Sequence, residues 1–160
     1  MPPPAPRTAT ATATKAIGSV EVLVTVRRAL PAARVRAWTR SLLSKTGAKR
    51  RSSSLSILLC GDTRMRSLNR EWRGLDLPTD VLSFPSGGHS FLGDIVIDVP
   101  YAVRQARRHG HPLRREVQIL LAHGLLHLLG YDHEEDDGTM FRRQRQILLS
   151  AFGEGPDGVP

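Results

Sequence analysis

The sequence contains a single cysteine, Cys60, and this scarcity limits its covalent structure. One thiol cannot form an internal disulfide, so we expect a protein of the reducing cytoplasm. Cys60 ends the apolar run LSILLC, where a buried thiol that packs like a small apolar side chain is the expected role.

Long apolar runs are also missing, since no stretch approaches the roughly 20 apolar residues of a membrane-spanning helix. The first residues, MPPPAPRTATATATKA, lack the apolar core of a secretory signal and offer nothing large to bury. The 160 residues suit one domain. We therefore predict no membrane partner, a disordered tail over residues 1–18, a domain over 19–153 and a short C-terminal tail over 154–160.

Acidic residues are the minority, with 15 Asp and Glu against 23 Lys and Arg and a formal net charge of +8. Such a chain is attracted to polyanions, and nucleic acid is the first candidate. The charge is uneven, because nine basic residues and no acidic one lie between Arg27 and Arg51. A solvated helix face that binds no polyanion explains this stretch equally well.

Hydrophobic periodicity predicts four strands and five helices. Valines alternate at 20, 22, 24 and 26 as in a strand, and further strands are predicted for LSILLC, DVLSFP and GDIVIDV, the last two joined as a hairpin. Proline and glycine signals bound the helices, which are predicted from Pro31 to Gly47, Asp62 to Gly74, Asp98 to about Arg108, Pro112 to Gly130, and Asp136 or Asp137 to Gly153.

This order of elements predicts an α+β fold with one mixed four-stranded sheet and about five helices packed on it. Helical crossovers between the first three strands favour parallel neighbours, and the hairpin adds an antiparallel strand. Asp62 is expected to cap the second helix with its side chain, and Asp136 or Asp137 the fifth.

Three histidines in HGLLHLLGYDH, residues 123 to 133, carry the main chemical signal. His123 and His127 are four apart, so their rings project side by side from one helix face. Gly130 can adopt left-handed backbone and let the turn bring His133 back toward them. Three imidazoles would hold one divalent metal ion and leave a position for a water whose pKa falls to about 7. Zinc is the first candidate, although nickel, copper and cobalt also suit imidazole.

Two comparisons sharpen this interpretation. Three imidazoles among leucines would be costly to bury without a shared partner, whereas His89, His109 and His111 are interpreted as ordinary histidines of polar loops.

The spacing equals that of the metzincin proteases, HExxHxxGxxH, but Gly124 stands where those proteases carry their general-base glutamate. Peptide hydrolysis by that mechanism is therefore disfavoured.

HGLLHLLGYDH also matches the HGxLHLxGYDH motif of the YbeY family of metal-dependent endoribonucleases, and LNREWRGLDLPTDVLSFP and LGDIVI resemble that family's upstream segments. The resemblance covers about residues 20 to 152. It implies an αβ fold, one metal ion held by the three histidines and cleavage of single-stranded RNA. It further implies maturation of ribosomal RNA, notably at the 3′ end of the small-subunit RNA, ribosome quality control, and ribosome or small-subunit proteins as partners.

Arg73, in EWRG, matches the family's functional arginine and is predicted to be catalytic together with His123. A guanidinium suits phosphate oxygens and stays charged, although a surface arginine at a helix end is the alternative. Thr79 and Asp80 are interpreted as shaping the turn into the next strand. Asp132 either orients an imidazole or only completes the hydrogen bonding of the turn. Attack by metal-bound hydroxide and attack by the RNA 2′-hydroxyl both remain open.

Two other functions fit the same motif. A metallopeptidase could take its base from Glu134 or Glu135, although the net positive charge and Gly124 argue against it. A non-enzymatic ribosome-assembly factor could use the metal to tie the helix to the turn. A fourth protein ligand would support that second alternative, and Cys60 is the only thiol available.

Overall fold

A computed structural model describes residues 18–27, 30–47, 53–88, 90–132 and 137–153. Its strands are β1 (Val20–Val24), β2 (Ser54–Cys60), β3 (Val81–Pro85) and β4 (Phe91–Asp98). Its helices are α1 (Ala32–Ser44), α2 (Asp62–Arg73), α3 (Val99–His109), α4 (Leu113–Leu128) and α5 (Thr139–Phe152). The predicted α+β fold with one mixed four-stranded sheet is confirmed. The predicted tails, 1–18 and 154–160, lie outside the described residues except for Gly18.

The sheet has the strand order β1-β2-β4-β3, with β1, β2 and β4 parallel and β3 antiparallel to β4. The expectation that the first three strands are parallel neighbours is therefore wrong for β3. Strand β4 lies between β2 and β3 in the sheet. This interior position suits its sequence, because seven of its eight residues are buried. Strand β3 is only partly buried and ends at Pro85, which lacks a backbone N–H and therefore suits an edge.

Helices cover the sheet on both faces. Ile57, Leu59, Ile95 and Ile97 pack in the larger core together with residues of α1, α4 and α5. On the opposite face, Leu58, Cys60 and Val96 pack against Met65 and Leu68 of α2. The sheet therefore separates Cys60 from α4, the helix that carries the histidine motif.

Cys60 is fully buried, as predicted, and burial raises the pKa of its thiol to about 12. A neutral thiol behind the sheet is poorly placed to ligate an ion at α4, so it gives no support to a closed, purely structural metal site.

Two predicted helix caps are wrong by one or two residues. Helix α2 starts at Asp62 itself after Gly61, without a side-chain cap, and the Asp62 carboxylate instead accepts hydrogen bonds from Arg104, the shorter at 2.6 Å. Helix α5 starts after Gly138, whose φ of +87° suits glycine. Asp137 binds the side chains of Thr139 and Arg142 instead, and Asp136 lies outside the described residues.

Asp98, by contrast, opens α3 as predicted, and its side chain caps the helix by accepting a 3.1 Å hydrogen bond from the backbone N–H of Tyr101. Its side chain is inaccessible to solvent, and this burial raises the pKa of the carboxyl from 3.8 to about 7, with the neighbouring Asp62 carboxylate adding to the shift. Because the folded state holds this proton more tightly than the unfolded chain, stability should fall as the pH rises from about 4 through 7.

Asp98→Asn should therefore stabilise the protein at pH 8 by roughly 2 kcal/mol or more, and change little at pH 4.5. The amide oxygen can still accept from Tyr101, so the cap is kept. Urea unfolding at the two pH values measures the effect. Asp76→Asn is the matched control: Asp76 is exposed and its pKa is lowered by its hydrogen bond with Arg66, so that variant should gain nothing. Equal behaviour of the two variants would refute the assignment to buried Asp98.

Candidate functional site

A cleft of about 830 Å³ lies where α4 meets β3, the end of α2 and the corner between α3 and α4. Its lining includes Arg73, Asp80, His109, Glu116, His123 and His127. The structure therefore brings the two helical histidines and the predicted arginine to one cavity, together with two residues that were not predicted to take part.

His123 and His127 present their rings side by side on α4, as the spacing predicts. Their Nε2 atoms are 3.1 Å apart, and the ring centroids are separated by 4.7 Å. For a tetrahedral ion with metal–nitrogen bonds of about 2.0 to 2.1 Å, two ligand atoms lie roughly 3.3 Å apart. This pair of nitrogens therefore fits two positions around one ion.

Gln144 of α5 orients the first of these rings. Its side-chain oxygen lies 3.0 Å from His123 Nδ1 and can only accept a hydrogen bond, which favours the tautomer with the proton on Nδ1 and the lone pair on Nε2. Partners of this kind fix the orientation and tautomer of metal-binding histidines. Sequence reasoning missed Gln144, because a glutamine on a solvated helix 21 residues away gives no local signal.

The chain turns immediately after His127, as predicted. Gly130 has a φ of +92°, its N–H donates to the carbonyl of His127, and the N–H of Tyr131 donates to Leu126. Asp132, the last described residue before the gap at 133–136, is exposed and lines the cleft. The third predicted ligand, His133, and the alternative bases Glu134 and Glu135 lie outside the described residues.

Arg73 is the last residue of α2 and is exposed on the cleft wall. The helix ends there because Gly74 adopts left-handed backbone with a φ of +72°. Asp80 shapes the turn into β3, as interpreted: its carboxylate accepts hydrogen bonds from Thr79, from the N–H of Val81 and from Gln105 of α3.

Gly124 lies where α4 approaches the sheet most closely. A Cβ atom there would be 3.0 Å from Ile95 Cγ2 and 3.0 Å from Ser83 Oγ, tighter than nine in ten real Cβ contacts. The position that holds the catalytic glutamate in the metzincin spacing is thus packed against β3 and β4. A glutamate at this position would require the side chains of Ile95 and Ser83 to shift, so the packing also disfavours the usual base of the peptidase alternative.

His109 and His111 are not ordinary loop histidines, so that interpretation is wrong. His109 ends α3, His111 is buried beyond Gly110, and both approach Glu116 in the first turn of α4. His111 Nε2 and His109 Nδ1 lie 3.1 and 3.5 Å from the same carboxylate oxygen of Glu116. Burial raises the pKa of Glu116, and the two imidazoles oppose that shift.

The sequence was compared with known families. The family described as endoribonuclease YbeY matches residues 24–151. The chain belongs to the YbeY family. It is 46% identical over 127 residues to an endoribonuclease YbeY of Anaeromyxobacter sp. strain Fw109-5, an alignment that covers 76% of this chain and 65% of that protein. It is 41% identical to an endoribonuclease YbeY of Aquifex aeolicus, over 76% of this chain and 83% of that protein.

A solved structure has the same fold as this YbeY family member. The solution structure of TM1509 from Thermotoga maritima superposes with a TM-score of 0.64 at 25% identity, covering 89% of this chain and 97% of that one. The predicted resemblance to YbeY proteins is confirmed, and the family name supports a nuclease and not a peptidase. Within the described ranges, no helix has the length and apolar character needed to cross a bilayer.

Proposed function

We propose that this YbeY protein is an endoribonuclease that cleaves single-stranded RNA with one divalent metal ion. His123, His127 and His133 would hold this ion, and zinc is the first candidate. The observation that carries the proposal is the pair of imidazole nitrogens 3.1 Å apart in the same open cleft as Arg73. The names of its relatives support the reaction.

A bound divalent ion would supply positive charge next to the scissile phosphate and acidify coordinated water. The chain's own residues have complementary tasks. His123 and His127 would bind the ion through Nε2, and the hydrogen bond from His123 Nδ1 to Gln144 favours the His123 tautomer that leaves Nε2 without a proton. Arg73 offers a guanidinium that can bind phosphate oxygens in pairs as negative charge grows on phosphorus.

Exposed arginines around the cleft add positive charge that would attract a polyanion. Arg107 and Arg108 on α3 and Arg114 on α4 are exposed near the corner that closes one end of it. Arg104 is partly neutralised by Asp62, and Arg115 is buried, so these two contribute less than their charge suggests. RNA is attracted to such a surface by its phosphates.

We further propose ribosomal RNA as the substrate, in maturation at the 3′ end of the small-subunit RNA and in ribosome quality control, with ribosome or small-subunit proteins as partners. The cytoplasm is the proposed compartment. The motif resemblance supports the substrate, and the single buried cysteine suits a reducing environment.

A direct test gives the metal-loaded protein a single-stranded ribosomal RNA fragment, the same sequence annealed to its complement, and an unfolded polypeptide. We expect endonucleolytic products from the single strand, far fewer from the duplex and none from the polypeptide. Hydrolysis of the polypeptide alone would establish a peptidase, and the absence of any hydrolysis would favour an assembly factor.

Arg73→Ala should lower the cleavage rate by roughly 10²- to 10³-fold, the usual cost of removing one donor to a transition-state oxyanion. Because Arg73 is exposed, metal content and melting temperature should be unchanged. Arg70→Ala is the matched control, since Arg70 is an exposed arginine of the same helix end that pairs with Asp76 at 3.6 Å. Wild-type cleavage by the Arg73 variant, or equal losses in both variants, would remove the proposed role.

A further inference from the structure

We infer that His109, His111 and Glu116 form a second site for a divalent metal ion of the zinc class, separate from the site of His123 and His127. Among the residues that the structure describes, these three bring one ligand atom each to within 4.8 Å of the others. Two imidazoles and one carboxylate are a common ligand set for zinc with an open position.

Two of the three distances between the ligand atoms are close to those around a tetrahedral ion. Glu116 Oε2 lies 3.1 Å from His111 Nε2 and 3.5 Å from His109 Nδ1. Bonds of about 2.0 to 2.2 Å to one ion place two ligand atoms roughly 3.3 to 3.5 Å apart. A small movement of the exposed His109 ring would complete the trio.

The burial of this cluster favours a bound cation. The side chains of Glu116 and His111 are only 4% and 2% exposed. Glu116 Oε2 nevertheless makes no well-oriented hydrogen bond with any described residue. The close polar neighbours of this buried oxygen are the two imidazoles, and a metal ion among them would bind it together with both imidazole lone pairs.

The backbone builds the cluster from a helix corner. Gly110 has a φ of +72°, and the N–H groups of Gly110 and His111 donate to carbonyls in the last turn of α3. This sharp end places His111 beside the first turn of α4, where Glu116 points back toward α3. The carbonyl end of α3 also favours a cation, because the helix dipole is negative there.

The second site opens into the same cleft as the first. His109 is 57% exposed, so an ion can enter past it, and both His109 and Glu116 line the cleft with His123. Glu116 and His123 are seven residues apart on α4, which places them on one face about 10 Å apart along the axis. This helical spacing exceeds the roughly 4 Å between the ions of a two-metal centre, which favours two separate ions. If RNA is the substrate, as proposed above, an ion here would bind another phosphate of the same strand.

Equilibrium titration of the full chain with Co²⁺ and Zn²⁺ tests the second site without relying on cleavage. We expect wild-type protein to bind two ions per chain, and His123→Ala/His127→Ala to keep one. Adding His109→Ala to that double variant should weaken the remaining ion at least about 100-fold, because a direct ligand matters at least as much as its orienting partners. His109 is exposed, so its replacement should leave the fold intact.

His89→Ala in the same double variant is the matched control, because His89, which lies outside the described residues, is a ligand in neither proposal. It should leave the remaining ion in place. Two results would overturn the second site: a double variant that binds no ion, which would leave only an imidazole–carboxylate ion pair, and a remaining ion that His89→Ala removes as readily as His109→Ala. Failure of the RNA assay would leave this titration unaffected, so the two proposals can fail separately.

Discussion

His123→Ala should release the proposed catalytic metal and abolish RNA cleavage together. His123 Nε2 is one of two nitrogens held 3.1 Å apart, and alanine offers no ligand atom in its place. Several kcal/mol of lost charge stabilisation corresponds to roughly 10³-fold or more in rate. In a chain that also lacks the second site, the melting temperature should stop responding to added zinc, because an ion present at 1,000 times its Kd for the folded state stabilises that state by about 4 kcal/mol.

The experiment is best made in a chain that already carries His109→Ala, so that only one metal site is counted. Metal content after dialysis, the zinc-dependent shift in melting temperature and the cleavage rate are measured on the same sample. Gln144→Ala is the graded control: it keeps every ligand but loses the hydrogen bond to His123 Nδ1, and should weaken metal binding by roughly 10- to 100-fold. A His123 variant that retains metal and cleaves normally would end the proposed mechanism.

Gly93→Ala should prevent stable folding, although Gly93 is not one of the proposed ligands. A Cβ there would lie 2.1 Å from the backbone oxygen of Phe84 and 3.0 Å from Leu128 Cδ2. The carbonyl cannot move without disrupting the pairing of β3 with β4, and Leu128 belongs to the helix that carries the histidines. Together with the strain of a φ of +139°, we expect a loss of at least about 4 kcal/mol, a large part of a typical domain's stability.

Gly47→Ala separates the steric clash from the backbone strain. Gly47 also has a positive φ, +120°, but a Cβ there would meet nothing within 4 Å. That variant should lose only about 1 to 2 kcal/mol. Chemical denaturation of both proteins provides the comparison. Equal stability of the two variants would show that β3, β4 and α4 can separate at Gly93 without cost.

Features that depend on neighbouring residues along the chain were predictable from the sequence. The four-residue spacing of His123 and His127 is sufficient to place both rings on one face, because every α-helix has the same pitch. Gly74 and Gly130 end their helical segments as expected, since few other residues tolerate positive φ. Asp98 caps α3 for a similarly local reason.

Features that join distant segments were decided only by the tertiary structure. No local pattern indicates that β4 separates β2 from β3, that Gln144 reaches His123, or that Arg73 faces the same cleft as the histidines. Packing also decided the role of His109 and His111, because their partner Glu116 belongs to the next helix. The sequence by itself determined the local geometry of the histidine pair. The fold decided which distant side chains surround it, since the buried residues of β4 are covered on both faces by elements from separate parts of the chain.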